Sequence, residues 1–154
     1  MTKLKEGDLA PQFDGLNQDG ERISSDDFKG KKLILYFYPK DDTPGCTKES
    51  CNLNENYDGW LNKGFEVIGV SPDTVKSHKK FAKKFNLQFN LIADTDKKIL
   101  KDYDVWGEKK MFGRKYMGVL RTTFVIDEKG IIIQIFEKVE KEDHTNQILK
   151  TINI

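Results

Sequence analysis

Cysteine and proline are scarce in this sequence, and neither sign of charge is in clear excess. The 154 residues include two cysteines and four prolines, and 26 lysines and arginines stand against 25 aspartates and glutamates, for a net charge of +1. A balance this even gives no electrostatic reason to expect nucleic acid or a membrane surface as a partner.

Long apolar runs are also absent. No run approaches the length needed to span a bilayer, and residues 1–7 lack the apolar centre of a signal segment. We therefore expect a cytoplasmic protein. With a hydrophobic content of 37% and no internal repeat or linker, residues 1–154 are expected to form one domain around one core.

The two cysteines, Cys46 and Cys51, lie close together in the sequence. A disulfide that closes so short a loop would restrict the unfolded chain little, and structural disulfides are rare in a reducing compartment. A disulfide between these two cysteines would therefore stabilise the fold little. A reactive pair and two unrelated buried thiols remain as alternatives at this point.

The residues around Cys46 predict a strand, a turn and a helix in succession. Residues 33–38 are apolar and rich in β-forming side chains, residues 39–45 contain turn formers, and a long helix is predicted over residues 47–62. Cys46 then lies where the helix starts, with unpaired backbone N–H groups and the positive end of the helix dipole around it. A thiolate is favoured over a thiol at such a position, which makes Cys46 the candidate reactive thiol.

The rest of the chain alternates strands and helices. Strands are predicted at residues 65–70, 91–93, 122–126 and 131–136, helices at residues 71–85, 94–103 and 143–152, and a short strand and helix at residues 22–30. A β-α-β half followed by a β-β-α half predicts an α/β protein. We expect the thioredoxin-like fold, a central mixed β-sheet flanked by helices, with N-terminal additions.

Three further features are expected to be structural or solvent-exposed and not to take part in chemistry. Residues 106–120 lack a clean period and are predicted to form a long ordered loop. Its large apolar side chains either line an approach to a site or cover the core, and we expect at least half of them in the core. They are Trp106, Met111, Phe112, Tyr116 and Met117. His78 and His144 are expected to be solvated, as are the lysine pairs at 79–80 and 83–84.

The order Pro39-x-x-x-Thr43-x-x-Cys46 resembles the active-site motif of the peroxiredoxins, which are thiol peroxidases. With Cys51 close behind, it is similar to the Q-type branch, also called the bacterioferritin comigratory protein type. The resemblance extends to further segments in the expected order, which together cover most of the chain. These are Gly7-x-x-Ala10-Pro11-x-Phe13, Val70-Ser71-Pro72-Asp73 and residues 106–127.

The resemblance implies a hydroperoxide reductase in which Cys46 is the nucleophile and Arg121 supplies positive charge. In a thioredoxin-like fold the strand after Arg121 starts beside the active-site turn, so Arg121 can reach the sulfur. Thr43 can turn its hydroxyl toward the sulfur and the peroxide, while Pro39 lacks an N–H and suits a wall that covers the thiolate. Glu49 is a candidate for orienting Arg121, the alternative being an exposed helix acid.

Attack on a hydroperoxide would leave Cys46 as a sulfenic acid, which condenses readily with a thiol, and Cys51 is the internal candidate. Five helical residues would separate the two Cα atoms by about 8–9 Å, whereas a disulfide needs roughly 4.4–6.8 Å. We therefore hypothesise that the start of the helix unwinds to form the Cys46–Cys51 disulfide. The resemblance implies thioredoxin or a similar dithiol protein as reductant and no cofactor. A resolving cysteine in the same chain favours a monomer.

Three other classes of protein compete with this interpretation. A thioredoxin-type disulfide oxidoreductase would want Cys-x-x-Cys and a proline just before the strand at residues 122–126, where the chain has Arg121. A metal-binding or redox-sensing protein could use Cys46, Cys51, His78 and His144, but these lack any known ligand spacing. A non-catalytic binding module is the third class.

Overall fold

The computed structural model describes residues 2–152, while residue 1 and residues 153–154 of the predicted domain lie outside the described residues. The strands in this part are β1 (Asp14–Leu16), β2 (Arg22–Ser24), β3 (Lys32–Phe37), β4 (Phe65–Ser71), β5 (Asn90–Ala93), β6 (Trp106–Met111), β7 (Arg114–Val119), β8 (Thr122–Ile126) and β9 (Ile132–Phe136). The helices are α1 (Pro44–Glu55), α2 (Tyr57–Asn62), α3 (Val75–Phe85), α4 (Lys98–Asp102) and α5 (His144–Ile152), with a 3-10 turn at Ser25–Phe28. None of these helices has the length and apolar character needed to cross a membrane.

Seven of these strands form one mixed sheet in the order β2-β1-β5-β4-β3-β8-β9. Strands β3, β4 and β5 run parallel, as the predicted β-α-β half requires. On the other side of β3, strand β8 pairs antiparallel with β3 and strand β9 pairs antiparallel with β8, as predicted for the β-β-α half. Strands β1 and β2 extend the opposite edge. The prediction of a central mixed sheet with N-terminal additions is confirmed.

Strand β3 is apolar almost throughout because both faces of the sheet are covered. Ile34 and Tyr36 belong to a core shared with α1, α2, α3 and α5, whereas Leu35 and Phe37 belong to a core shared with α4. The antiparallel register places Phe37, the last residue of β3, opposite Thr122, the first residue of β8. The loop that follows β3 and the residue that precedes β8 are therefore neighbours.

The prediction of a long loop at residues 106–120 is wrong, because this segment forms a β-hairpin of β6 and β7. Its register pairs Trp106 with Val119 and Met111 with Arg114. The turn residues Phe112 and Gly113 have φ angles of 51° and 76°. Positive φ at both turn residues is the conformation of a type I′ hairpin, which usually has asparagine at the position of Phe112. The phenylalanine and the glycines within the strands concealed the hairpin from sequence reasoning.

The predicted helix over residues 47–62 is divided into α1 and α2. The Asn56 side-chain amide donates to the Asn52 carbonyl at 2.8 Å, a bond that competes with backbone pairing where α1 ends. Helix α1 also starts earlier than predicted, at Pro44. The lysine pairs at 79–80 and 83–84 are exposed on α3, as predicted.

Candidate active site

The loop between β3 and α1 leads directly into the candidate site. Thr43 precedes α1 in an extended conformation, and Pro44 is the first helical residue, where its fixed φ suits the helix and its missing N–H leaves no donor unpaired. The backbone N–H of Thr47 donates to the Thr43 carbonyl at 2.9 Å. The N–H groups of Gly45 and Cys46 therefore belong to the first turn, which has no intrahelical acceptors. The Cys46 side chain sits in this turn and is 1% exposed.

Arg121, the residue just before β8, contacts the Cys46 sulfur. Its Nη2 atom lies 3.2 Å from Sγ, and its Nη1 atom donates to Glu49 Oε1 at 2.7 Å. Burial lowers the pKa of the guanidinium, but the nearby Glu49 and Cys46 side chains outweigh this effect and raise the pKa overall. The group therefore stays positively charged, and a cation faces the Cys46 sulfur.

Glu49 is fully buried on α1, so the alternative of an exposed helix acid is wrong. Burial raises the pKa of its carboxyl to about 7, although Arg121 and Lys141 act in the opposite direction. One carboxylate oxygen, Oε1, is bonded to Arg121, whereas Oε2 has no hydrogen-bond partner within residues 2–152. The carboxyl group therefore holds the guanidinium at Nη1, while Nη2 contacts the sulfur.

His144 lies behind Glu49 and is fully buried, so the expectation of a solvated side chain is wrong. Its Nε2 atom is 3.7 Å from Glu49 Oε2 and 2.8 Å from the Thr123 hydroxyl, and its Nδ1 atom is 2.8 Å from Gln147 Oε1. Burial lowers the pKa of the ring to about 4. A neutral ring that donates from Nδ1 and accepts at Nε2 satisfies both neighbours.

Pro39 and Thr43 lie in the loop as expected, but their contacts are less direct. Pro39 is partly buried just beyond the end of β3. The Thr43 hydroxyl donates to the Lys40 carbonyl at 2.8 Å, and among residues 2–152 it forms no hydrogen bond with the Cys46 sulfur. Its oxygen keeps acceptor capacity for a substrate hydroxyl.

Cys51 shares helix α1 with Cys46 and is partly exposed, and both thiols are free. Burial and the charge of Glu55 raise the pKa of the Cys51 thiol. Because the helix is continuous between the two cysteines, their Cα atoms are separated by about 8–9 Å, beyond the reach of a disulfide. This structure holds the pair apart in the reduced state.

The apolar side chains of the hairpin do not cover the core as expected. Four of these side chains are exposed, and Trp106 alone of the five packs against a core cluster, where it is partly buried. The exposed four are Met111, Phe112, Tyr116 and Met117.

Two lysines that sequence reasoning missed, Lys109 and Lys141, lie around the site. Burial and the nearby Arg121 lower the pKa of Lys109 on β6. The Lys141 stem lies so close to Gly45 that a Cβ there would be 3.0 Å from Cδ, so a side chain at position 45 would displace it.

A cysteine enclosed at the start of a helix, with the arginine that precedes the adjacent strand against its sulfur, defines a thiol-based redox protein on a thioredoxin-like sheet. The chain belongs to the AhpC/TSA family, whose sequence model matches residues 7–135. The resemblance to the peroxiredoxins that the motifs indicated is thereby confirmed.

Individual relatives agree with this assignment. The chain is 45% identical over 146 residues to the putative peroxiredoxin bcp of Coxiella burnetii, covering 95% of this chain and 97% of the relative. It is 42% identical to peroxiredoxin Bcp of Bacillus subtilis, covering 95% of this chain and 93% of the relative.

Solved structures give the same result for the fold. A cysteine-to-serine variant of PrxQ from Xylella fastidiosa superimposes with a TM-score of 0.91 at 30% identity, covering 99% of this chain and 98% of that chain. Peroxiredoxin Q from Xanthomonas campestris gives a TM-score of 0.86 at 31% identity, covering 99% and 96%. The predicted thioredoxin-like fold is confirmed, and the competing classes of oxidoreductase and binding protein are not favoured.

Proposed function

We propose that this protein is a thiol-dependent peroxidase that reduces hydrogen peroxide and organic hydroperoxides. The observation that carries the proposal is the 3.2 Å contact between Arg121 Nη2 and the sulfur of Cys46 at the start of α1. Fixed positive charge favours the thiolate, which is the form of cysteine that attacks a peroxide.

In the first step, the Cys46 thiolate attacks the terminal oxygen of the hydroperoxide. The S–O bond forms as the O–O bond breaks, the sulfur is oxidised to a sulfenic acid, and the leaving alkoxide or hydroxide takes up a proton to become alcohol or water. Negative charge moves from sulfur to the leaving oxygen. Arg121 and the first-turn N–H groups of Gly45 and Cys46 stabilise that charge, the Thr43 hydroxyl positions the peroxide, and Pro39 shields the sulfur.

In the second step, the Cys51 thiol attacks the sulfenic sulfur, an S–S bond forms and water leaves. Because α1 holds the two cysteines too far apart, this step requires the helix to unwind between them. A dithiol protein then attacks the disulfide and returns both thiols, and we propose thioredoxin for this role. Sulfur carries the electrons throughout, so the proposal includes no cofactor.

The relatives support the substrate class that we propose. One solved structure from Xanthomonas campestris, 30% identical to this chain, is described by its alkyl peroxide reduction activity. We propose further that the chain acts as a single-domain cytoplasmic monomer, since both reacting cysteines lie in one helix. Light scattering during size-exclusion chromatography would test the monomer, with the mass of two chains as the contradicting result.

Turnover with thioredoxin, thioredoxin reductase and NADPH tests the function. We expect the parent protein to oxidise NADPH when hydrogen peroxide or cumene hydroperoxide is added, and Cys46→Ser to be inactive. Cys51→Ser should react once and then stop with thioredoxin. No peroxide consumption by the parent with thioredoxin or with dithiothreitol would contradict the peroxidase. Turnover with dithiothreitol alone would leave the peroxidase standing and overturn thioredoxin as the reductant.

A further inference from the structure

His78 on α3 is buried beside the active-site loop, contrary to the expectation of a solvated helix histidine. Its Nε2 atom lies 3.0 Å from the Ile92 carbonyl, and its Nδ1 atom lies 2.7 Å from Asp41 Oδ2. A carbonyl oxygen only accepts hydrogen bonds, so Nε2 carries a hydrogen. Both ring nitrogens are therefore bonded, and β5 fixes the ring from behind.

Asp41 belongs to the loop that leads into α1, ahead of Thr43 and Cys46. Besides His78, its carboxylate accepts hydrogen bonds from the Tyr38 hydroxyl at 2.6 Å and the Ser77 hydroxyl at 2.8 Å. Its backbone N–H donates to Asp73 Oδ2 at 2.8 Å. One loop residue is thus held by side chains from the residue just after β3, from α3 and from the segment between β4 and α3.

The same groups resemble a metal site, but their hydrogen bonds argue against one. Ligand atoms of Asp41, Asp73 and His78 lie within 4.8 Å of one another. Asp73 Oδ2 accepts hydrogen bonds from the Ser71 hydroxyl at 2.6 Å and from the Asp41 N–H, and the Asp41 carboxylate accepts from three side chains. A cation would have to displace these donors, so the cluster is better suited to holding the loop.

We propose that His78 is a positioning residue of this peroxidase, acting through Asp41 to fix the loop that carries Thr43 and starts α1. The proposal rests on the peroxidase function proposed above. The rate of the reaction between Cys46 and a hydroperoxide depends on the placement of the sulfur against Arg121, and small displacements of reacting groups lower such rates strongly. Neither His78 nor Asp41 belongs to α1, so their pairing persists when α1 unwinds. The loop then provides a fixed end on which the helix can form again after reduction.

Substitutions at this pair separate positioning from general stability. In His78→Gln, one amide can replace either ring contact but not both. We expect the rate constant of the reduced protein with hydrogen peroxide to fall by about 10-fold or more. Ser77→Ala is the matched control on the same helix, since it removes a neutral donor from the same carboxylate, and its rate should change by no more than about 3-fold.

Asp41→Asn is the conservative replacement that should rescue the loop. With its NH2 group in the place of Oδ2, the amide can donate to an unprotonated Nδ1 and to the Ser77 hydroxyl oxygen, while His78 still donates to the Ile92 carbonyl. Its carbonyl, in the place of Oδ1, can accept from Tyr38. We expect near-parent rates for Asp41→Asn and a loss like that of His78→Gln for Asp41→Ala. This pair of variants keeps the proposal testable if His78→Gln fails to fold.

Hydrogen exchange of the reduced protein gives a readout that does not depend on activity. We expect faster amide exchange across residues 40–46 in His78→Gln and Asp41→Ala than in the parent and in Asp41→Asn. Parent-like exchange and parent-like rates in His78→Gln would overturn the proposal, as would equal losses in Asp41→Asn and Asp41→Ala. A parent protein that does not react with peroxide, together with faster loop exchange in His78→Gln, would instead overturn the peroxidase and leave the loop anchor standing.

Discussion

At the Cys46 sulfur, the proposed chemistry depends on a side chain 75 residues away in the sequence. Arg121 presents one guanidinium nitrogen to the sulfur and another to Glu49, so its planar fork is held at two points. A lysine would carry the same charge on a single flexible donor and would have to choose between the two partners. Charge and geometry are therefore both supplied by arginine at this position.

Replacing Arg121 should separate these two contributions. We expect Arg121→Met, which removes the charge, to slow the reaction with hydrogen peroxide by roughly 100-fold or more. Arg121→Lys should lose about 10-fold, because charge remains while the two-point hold is lost. Stopped-flow measurement of the first turnover gives these rates. Arg114→Met, on the exposed hairpin, is the control and should react like the parent; equal rates for Arg121→Met and the parent would refute the role of Arg121.

How much of the site is predictable differs from residue to residue. Arg121 was predictable because it precedes a strand that pairs with the strand before Cys46, and the family motif marks it. His144 and His78 were not, because each lies in a polar stretch of helix and the partners that bury it come from distant segments. Thr123 is 21 residues from His144, and Asp41 is 37 residues from His78. Burial that depends on such pairings leaves no local signal in the sequence.

At the scale of elements, the proposed mechanism requires α1 to be stable enough to place Cys46 and weak enough to unwind. The Ser50 and Tyr36 hydroxyls are 2.7 Å apart in the core, and this hydrogen bond links the middle of α1 to β3. At the other side of Cys51, the Asn52 side chain bonds the Thr145 N–H at 2.8 Å and the Glu142 carbonyl at 3.1 Å. We infer that unwinding of α1 breaks the hydrogen bond between Ser50 and Tyr36 and stops at the hydrogen bonds of Asn52.

Tyr36→Phe tests which of these hydrogen bonds limits disulfide formation. The substitution leaves the ring in place but removes the hydroxyl that pairs with Ser50, which should destabilise folded α1 by about 1 kcal/mol. We expect the Cys46–Cys51 disulfide to form several-fold faster after peroxide is added, with the peroxide step itself little changed. Loss of free thiols followed by quenched-flow mass spectrometry measures both steps. Tyr103→Phe removes a similar hydroxyl, bonded to the Pro11 carbonyl, and should leave both rates unchanged.

The turn of the β6–β7 hairpin allows a separate prediction about stability. Phe112 is 98% exposed with a φ of 51°, a conformation that asparagine adopts more readily than phenylalanine. Phe112→Asn creates the Asn-Gly pair that favours a type I′ turn. We expect the free energy of unfolding in urea to stay the same or rise by about 0.5 kcal/mol. A loss of more than about 1 kcal/mol would contradict the exposed position of this side chain.

At the scale of the whole molecule, two buried groups give stability opposite dependences on pH. The pKa of Glu49 is about 7 in the folded protein against an ordinary 4.5, so the folded state binds its proton more tightly. Its contribution to stability is complete below pH 4.5 and is lost as the pH rises to 7. The pKa of His144 is about 4 against 6.5, so its contribution is complete above pH 6.5 and is lost as the pH falls to 4.

Single substitutions should separate these two contributions. We expect the stability difference between the parent and Glu49→Gln to fall between pH 4.5 and 7, by on the order of 1–3 kcal/mol. The difference between the parent and His144→Gln should rise across nearly the same range. Urea unfolding at several pH values measures both differences. Parallel profiles for the parent and Glu49→Gln would contradict the raised pKa of that carboxyl.

The overall fold was more predictable than its details. Continuous apolar strands such as β3 and β4, separated by helices, leave few arrangements other than a covered parallel sheet. The hairpin at residues 106–120 and the break at Asn56 were missed because they depend on one turn conformation and one side-chain bond. The sequence pattern therefore predicts the sheet that positions Cys46 and Arg121, whereas the buried polar contacts around these residues are visible only in the three-dimensional structure.

The most direct test of the account is the intact mass and free-thiol count of the reduced protein after one equivalent of hydrogen peroxide. We predict that the parent rapidly loses both thiols without gaining oxygen, since the Cys46–Cys51 disulfide forms and water leaves. Cys51→Ser should gain one oxygen as a sulfenic acid that dimedone traps, and Cys46→Ser should not react rapidly. Slow and equal oxidation of all three proteins would contradict peroxidase chemistry at Cys46.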